Sequence, residues 1–360
     1  MNVQILRTPC IFYEIVELTG AIIQGISAEA LTRDGPFCVP AEEVQRMMDA
    51  VTPVLPLSDR WLQRYFAPHP VKGDEMHMAS LASWMVYSFL NLEHPDYDQF
   101  IESLCNFWER LRRRGFRVTG MTGYALEFEP SDDPPPVSLA DALQDLPLKQ
   151  ECYMELLEVL SDYTFHLHHL GELLRPAAEI LRPMLEPFVA GISPLAQAWE
   201  EFFTVHAIED FARTRSGVTL AEQCKRVVLA FRFLDSRFAP GYLDRAGGTA
   251  WMHMGVSLPV QMQPPKKQSY LPDSDFSTFK LLGARTRTDM LRAMAKESLS
   301  FPQLSQQLNL NPGTVFRNLN IMTNAGLLMK EFVEGHYQYR TNPDVIRELL
   351  DNMMQYYKGD

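Results

Sequence analysis

The chain has 360 residues, 46% of them apolar, 11% aromatic and 22% charged, with a formal net charge of −12. That balance excludes a disordered or fibrous chain, and the length suits two domains better than one or three. The five cysteines (Cys10, Cys38, Cys105, Cys152 and Cys224) lie apart with no CxxC pair, which excludes a disulfide framework or a zinc ribbon and fits buried thiols in a reducing compartment.

From the start, Met1–Glu14 shows no export-signal pattern. The most apolar run, Leu81–Leu92, contains Ser83, Ser88 and Asn91 and is too short to span a bilayer, so a cytoplasmic chain without a membrane partner is expected. The arginine-rich run Arg110–Arg117 surrounds Gly115. Cations in the last turn of a helix complement its dipole, and that reading is preferred to DNA contact there. Val118–Phe128 alternates as short strands. Ser131–Pro136, with three consecutive prolines, marks a joint, between lobes of one domain or as a domain boundary.

Ala140–Leu174 and Leu195–Phe211 carry apolar residues three and four apart, as amphipathic helices do. Leu220–Phe238 is expected to continue in that style, with Val227, Val228, Phe231 and Leu234 on one side, before Trp251–Met262 returns to strand alternation. Asp162, His166 and His169 share a helical face, with His168 and Glu172 nearby. One helix face supplies too few fixed ligands for zinc, so a solvated stripe is the preferred reading and no metal or other cofactor is assigned. Trp84, Phe89, Trp108, Trp199, Phe202 and Phe203 suit a core better than the pocket of a small-molecule effector, which stays open as an alternative. No nucleophile elbow, phosphate loop or dinucleotide fingerprint occurs, so no enzyme activity is expected.

A second polar, proline-broken stretch, Pro264 through Asp275, separates the C-terminal residues from the body of the chain. Charge changes there too. Phe276–Asp360 holds ten Lys and Arg against eight Asp and Glu, leaving 23 against 37 for the preceding part. A mildly basic module on an acidic body is the asymmetry that suits double-stranded DNA as a partner.

Phe279–Met294 is an amphipathic helix or helix pair, broken near Gly283. Ser300-x-x-Gln303 is a capping box opening a short helix, Phe301–Leu308, which ends at the turn Asn309-Leu310. Asn311 then caps a second helix with Pro312 at its first position, running to about Ala325 and stopping at Gly326. Two short helices joined by a tight turn are a helix-turn-helix. Leu327–Phe332 and Tyr337–Arg340 around the turn Glu334-Gly335 read as a hairpin wing. A last helix, Asp344–Tyr357, carries Ile346, Leu349, Leu350, Met353 and Tyr357 as one apolar stripe, for which a second copy of the chain is the simplest partner.

On the second helix Val315, Leu319 and Met322 must face the core, which turns Gly313, Phe316, Arg317, Asn320 and Asn324 outward. Gly313 admits close backbone approach, Arg317 suits a guanine edge, and Asn320 an adenine or a phosphate. Phe316 can touch a thymine methyl or a protein surface. Asn311 and Thr314 at the helix start suit phosphate oxygens.

Leu282–Leu291, Leu304–Leu308, Thr314–Leu319 and Ala325–Leu328 together resemble the ArsR-type winged-helix repressors, over about a quarter of the chain and in the family's order and spacing. The resemblance implies a homodimer on a two-fold operator, with the Thr314–Asn320 face in the major groove and the wing near Lys330 and His336 on the DNA backbone. Phe316 and Asn318 stand where the family usually has small polar and His residues, and the module has no cysteine, so metal sensing is not carried over.

The sequence thus describes a mainly α chain with minor β. Residues 1–270 form a helical regulatory or dimer-forming domain, and residues 271–360 a C-terminal winged helix-turn-helix of a DNA-binding repressor. The alternatives are a winged helix that grips protein, or small-molecule chemistry or sensing in the N-terminal domain.

Overall fold

The computed structural model describes every residue except 33–34, 72–73, 90–91, 93–95, 122–124, 131–137, 145, 147, 217–219, 221–223, 235–240, 245–247, 259, 261–272, 334–335 and 359–360. The proline joint at 131–136 and most of the stretch from Pro264 to Asp275 therefore lie outside the described residues. The chain divides into two compact units. One comprises Met1–Val71, His77–Val205 and Gln223–Val260, and the other Lys72–Met76, His206–Glu222 and Gln261–Asp360. Both are mainly helical with small sheets. Among the described residues no helix is long and apolar enough to cross a membrane.

The first unit holds a four-stranded sheet in the order Asn2–Leu6, Arg226–Arg232, Thr249–Gly255, Gly241–Asp244. The first three strands run parallel and the fourth antiparallel. The middle of the Leu220–Phe238 stretch, expected to be helical, is instead Arg226–Arg232, one of the sheet's two inner strands. Arg-Val-Val-Leu-Ala-Phe-Arg is buried at every position after Arg226, and a run without polar interruptions satisfies a helical and a strand period equally well. Its short length and paired valines suit a strand covered on both faces. Asn2–Leu6, its parallel partner, was too short to stand out. Short strands were expected within Val118–Phe128, and the structure pairs Phe116–Met121 with Leu126–Pro130 antiparallel.

Helices Ile11–Gln24 and Tyr97–Arg114 both pack on the long helix Tyr163–Gly191. Gly171 allows one of these crossings to be close, since a Cβ there would lie 2.5 Å from Ile101 Cδ1. Trp84, Phe89 and Trp108 are fully buried, with Phe89 and Trp108 packed on Phe128 and Tyr163. The Tyr163 hydroxyl donates to the Met85 carbonyl at 2.7 Å. Trp199 packs on Phe202 and Phe203. Arg112, Arg113 and Arg114 occupy the last helical turn before Gly115, where they complement the dipole.

Two polar features interrupt this apolar interior. His166 Nδ1 lies 2.8 Å and His169 Nδ1 3.3 Å from the Tyr65 hydroxyl, so the two imidazoles share one phenol. Among the described residues no group of three or more His, Cys, Asp or Glu is arranged to hold a metal. At the end of strand Arg226–Arg232, Arg232 is buried beside Glu14 and Glu17, 3.5 Å from each carboxylate, with its guanidinium over the rings of Tyr13 and Tyr87. The Glu14 carboxylate also accepts from the backbone N–H groups of Phe233 and Leu234 at 3.0 and 2.9 Å. His253, buried on the adjacent strand, stands edge-on to Tyr13 with ring centroids 4.4 Å apart.

Burial holds the imidazoles of His253, His166 and His69 below the ordinary histidine range. Arg232 pushes His253 further the same way, whereas Glu158 and Glu155 oppose the effect at His166 and His69. Such a histidine is neutral when folded but titrates near its ordinary value of 6.5 when unfolded. The stability it contributes is present above that pH and is lost as the pH falls through it toward the folded-state value. The thermal midpoint of the full chain should therefore drop between about pH 7.5 and about pH 5.5, and His253→Gln should flatten that dependence. A midpoint constant across the window would contradict this account.

Candidate nucleic-acid interface

The C-terminal part of the second unit is built from short helices and strands. Helix Asp273–Leu282 leads into helix Arg285–Ala293, so the expected break near Gly283 is present but the first helix starts earlier than its apolar pattern suggested. Strand Leu299–Ser300 then turns into helix Phe301–Gln307. The Gln303 side-chain oxygen accepts from the backbone N–H of Ser300 at 2.8 Å and from its hydroxyl at 2.7 Å. The next turn places Asn309 at φ 49°, a left-handed conformation that asparagine tolerates better than most side chains. Asn311 caps the recognition helix Pro312–Asn324 by accepting from Gly313 N–H at 2.9 Å. Gly326, at φ 71°, releases the chain into the wing.

The wing pairs Leu328–Val333 with His336–Thr341 antiparallel, and the second of these strands also pairs with Leu299–Ser300. Two further bonds fasten it to helix Arg285–Ala293 and to Met294 just beyond: Thr341 N–H donates to the Met294 carbonyl at 3.1 Å, and its hydroxyl to the Leu291 carbonyl at 2.6 Å. Inside lie Met290, Leu291, Met294, Leu304, Val315, Leu319, Met322 and Leu327, part of one core that Leu299, Leu328 and Tyr339 of the small sheet also enter.

This core decides which side of the recognition helix is presented. Gly313 and Arg317 are exposed, and Thr314, Phe316 and Asn320 are partly exposed. Arg317 makes no hydrogen bond or ion pair among the described residues. Phe316 is only half outward, because its ring meets Phe301 edge-on at 6.4 Å. Asn311 is exposed at the helix start, its side chain committed to the cap. On the wing, the Lys330 ammonium sits 3.7 Å from the centre of the Tyr337 ring. His336 opens the returning strand, while its side chain, like that of Asn324, lies outside the described residues.

Asn318 was missed as a structural residue. It is 5% exposed; its amide donates to the Thr314 carbonyl at 2.9 Å and its oxygen accepts from Arg287 Nε at 3.0 Å. Its place beside Leu319 and three residues after Val315 was the available signal, since that spacing lies on the inward face of a helix.

The terminal helix Pro343–Lys358 divides its apolar stripe between two tasks. Leu349 and Met353 are buried within the chain and Ile346 packs against the module's core, whereas Leu350 and Tyr357 are exposed. The helix packs on Asp273–Leu282, where Asn352 donates to the Asp275 carboxylate at 2.7 Å. Leu349 and Met353 therefore already have cover, and the exposed apolar face runs through Leu350, Met354 and Tyr357.

These elements define a winged helix-turn-helix, a class that lays its second helix on duplex DNA. Residues 285–330 match the family model of the bacterial regulatory proteins of the arsR family. The C-terminal module is therefore of ArsR type, which supports DNA-binding regulation as its role. No curated protein and no solved structure gives a match to the chain.

Leu319→Ala should destabilise the module by about 2–5 kcal/mol through loss of a fully buried side chain. Asn311→Ala should cost about 1 kcal/mol through loss of the cap. Guanidinium unfolding of the full chain measures both. A Leu319→Ala loss no larger than that of Asn311→Ala would show that the module's core lies elsewhere.

Proposed function

We propose that the chain is a dimeric transcription regulator acting as a repressor, with the recognition helix in the major groove of a two-fold operator. The observation that carries this reading is the coincidence of the arsR-family match with a helix pair whose outward face presents Arg317 free of internal partners. A guanidinium in that position can bond both acceptors of a guanine edge, while Thr314 and Asn320 flank it for phosphate or adenine. Lys330 and His336 lie on the wing for contacts to the DNA backbone. The edgewise packing of Phe316 on Phe301 weakens the case for a protein-gripping face, because the ring is partly used inside the module.

The proposed seat of the second copy is the exposed side of the terminal helix, with Phe276 and Phe279 exposed on the helix packed against it. The acidic N-terminal unit would stabilise the dimer or answer a signal in a cytoplasmic setting. No catalytic role is proposed for it.

Binding of the full chain to its own upstream DNA across a salt series tests the reading. Tight, salt-dependent binding to one fragment is expected, and Arg317→Ala should weaken it by about 1–3 kcal/mol. Binding insensitive to salt would overturn the DNA reading, and specific binding unchanged in Arg317→Ala would overturn the choice of reading face. Sedimentation of a Leu350→Glu, Met354→Glu double variant tests the dimer: two buried carboxylates at such an interface should shift it to monomer at micromolar concentration. A variant that sediments as the unaltered chain does would move the dimer contact elsewhere.

A further inference from the structure

We propose that Arg287, on the helix preceding the helix-turn-helix, is a DNA-phosphate contact placed by Asn318 from inside the recognition helix. The proposal rests on the DNA-binding reading above and extends it to a residue outside the recognition helix and the wing.

Asn318 lies one residue after Arg317 but is buried rather than exposed. Through Thr314 it is tied to its own helix, and through Arg287 to the neighbouring one. Asparagine is a poor residue for a helix interior, and here its side chain is committed to a bond that crosses between helices. The bond to Nε takes one of the five guanidinium donors and fixes the plane of the group. The two terminal nitrogens of Arg287 make no hydrogen bond or ion pair among the described residues, and the side chain is partly exposed. An arginine held by Nε with its terminal nitrogens uncommitted is prepared to meet a phosphate with its remaining fork.

Its position agrees. Thr314 and Asn318 are four residues apart and so stack along one side of the recognition helix. The Arg287 guanidinium therefore meets the N-terminal half of that helix, on the side of Thr314 and Asn318, the half whose start is laid on the duplex backbone in this class of module. Arg287 also occupies the first turn of its own helix, where no acidic residue accompanies it and a cation opposes the helix dipole. A charge kept against local preference and anchored by a buried amide marks a functional position. The ligand class is the phosphodiester of duplex DNA, irrespective of base sequence.

The test uses the full chain, its upstream fragment and an unrelated duplex of equal length, each across a salt series. Arg287→Ala should weaken both complexes by a similar factor, on the order of tenfold at low salt, and reduce the salt slope by about 1. Arg287→Lys keeps the charge but lacks the fork held by Asn318, and should not restore wild-type affinity. Asn318→Asp places a carboxylate against the guanidinium and should lower the slope with Arg287 still present. Its thermal midpoint shows whether the fold is kept, so it decides the matter if Arg287→Ala proves unfolded. Wild-type affinity and slope in folded Arg287→Ala would overturn the proposal, as would a loss confined to the upstream fragment at unchanged slope. If the unaltered chain binds neither duplex, the DNA reading itself has failed and this proposal falls with it.

Discussion

The face that the C-terminal module presents to its surroundings depends on how the helix Pro312–Asn324 is rotated about its own axis, and three buried side chains set that rotation. Val315, Leu319 and Met322 enter a core shared with the preceding helices and the start of the wing. Their burial leaves Gly313 and Arg317 on the other side, whatever those residues do there. The caps are subordinate to this. Asn311 and Gly326 settle where the helix begins and ends, but an apolar core of eleven buried side chains is what prevents it from turning. Asn318 adds a polar peg to the same constraint, joining the recognition helix to Arg287 by a bond whose geometry is stricter than apolar contact.

In the first unit the corresponding constraint is electrostatic. Strand Arg226–Arg232 ends in an arginine that is 1% exposed, and a buried charge is tolerable only with compensation from partners. Arg232 receives it from Glu14 and Glu17 on one helix and from two aromatic faces, while Glu14 is itself held by the N–H groups of the two residues after Arg232. Desolvation raises the Glu14 pKa, and Arg232 and these backbone bonds oppose that rise. These bonds tie helix Ile11–Gln24 to the end of strand Arg226–Arg232, beside the Tyr13–His253 ring contact.

Legibility in the sequence tracked locality. The capping box at Ser300, the Asn311-Pro312 start and the Gly326 stop are signals spanning a few residues, and each helix end fell within a residue or two of its expected place. The strands within Val118–Phe128 were legible because one face alternates with the other. Arg226–Arg232 was not, because burial on both faces erases the period that separates strand from helix. The terminal stripe misled for a different reason. Ile346, Leu349 and Met353 were visible as apolar, but their cover comes from within the chain, beside a helix that begins at Asp273 inside a stretch that looked like a linker. Asn318 was hidden by its type, since a lone polar residue shows its purpose only when its partner, 31 residues earlier, is brought beside it.

The charge distribution bears on how such a module can grip DNA. Phe276–Lys330 carries seven basic residues against two acidic ones, but the chain as a whole is at −12, so long-range attraction to a duplex is weak and contacts must act at short range. The recognition helix supplies one cation, Arg317, and Arg287 of helix Arg285–Ala293 is bonded to that helix through Asn318. A surface with few cations gains more from fixing each in place than from adding flexible ones, because an immobilised guanidinium loses less entropy when a phosphate arrives. The same economy favours duplication: two copies on a two-fold site double every contact without adding charge to either chain. In the proposed reading, the buried Asn318 amide and the exposed face through Leu350, Met354 and Tyr357 would be two answers to one shortage, the first acting within a copy and the second between copies.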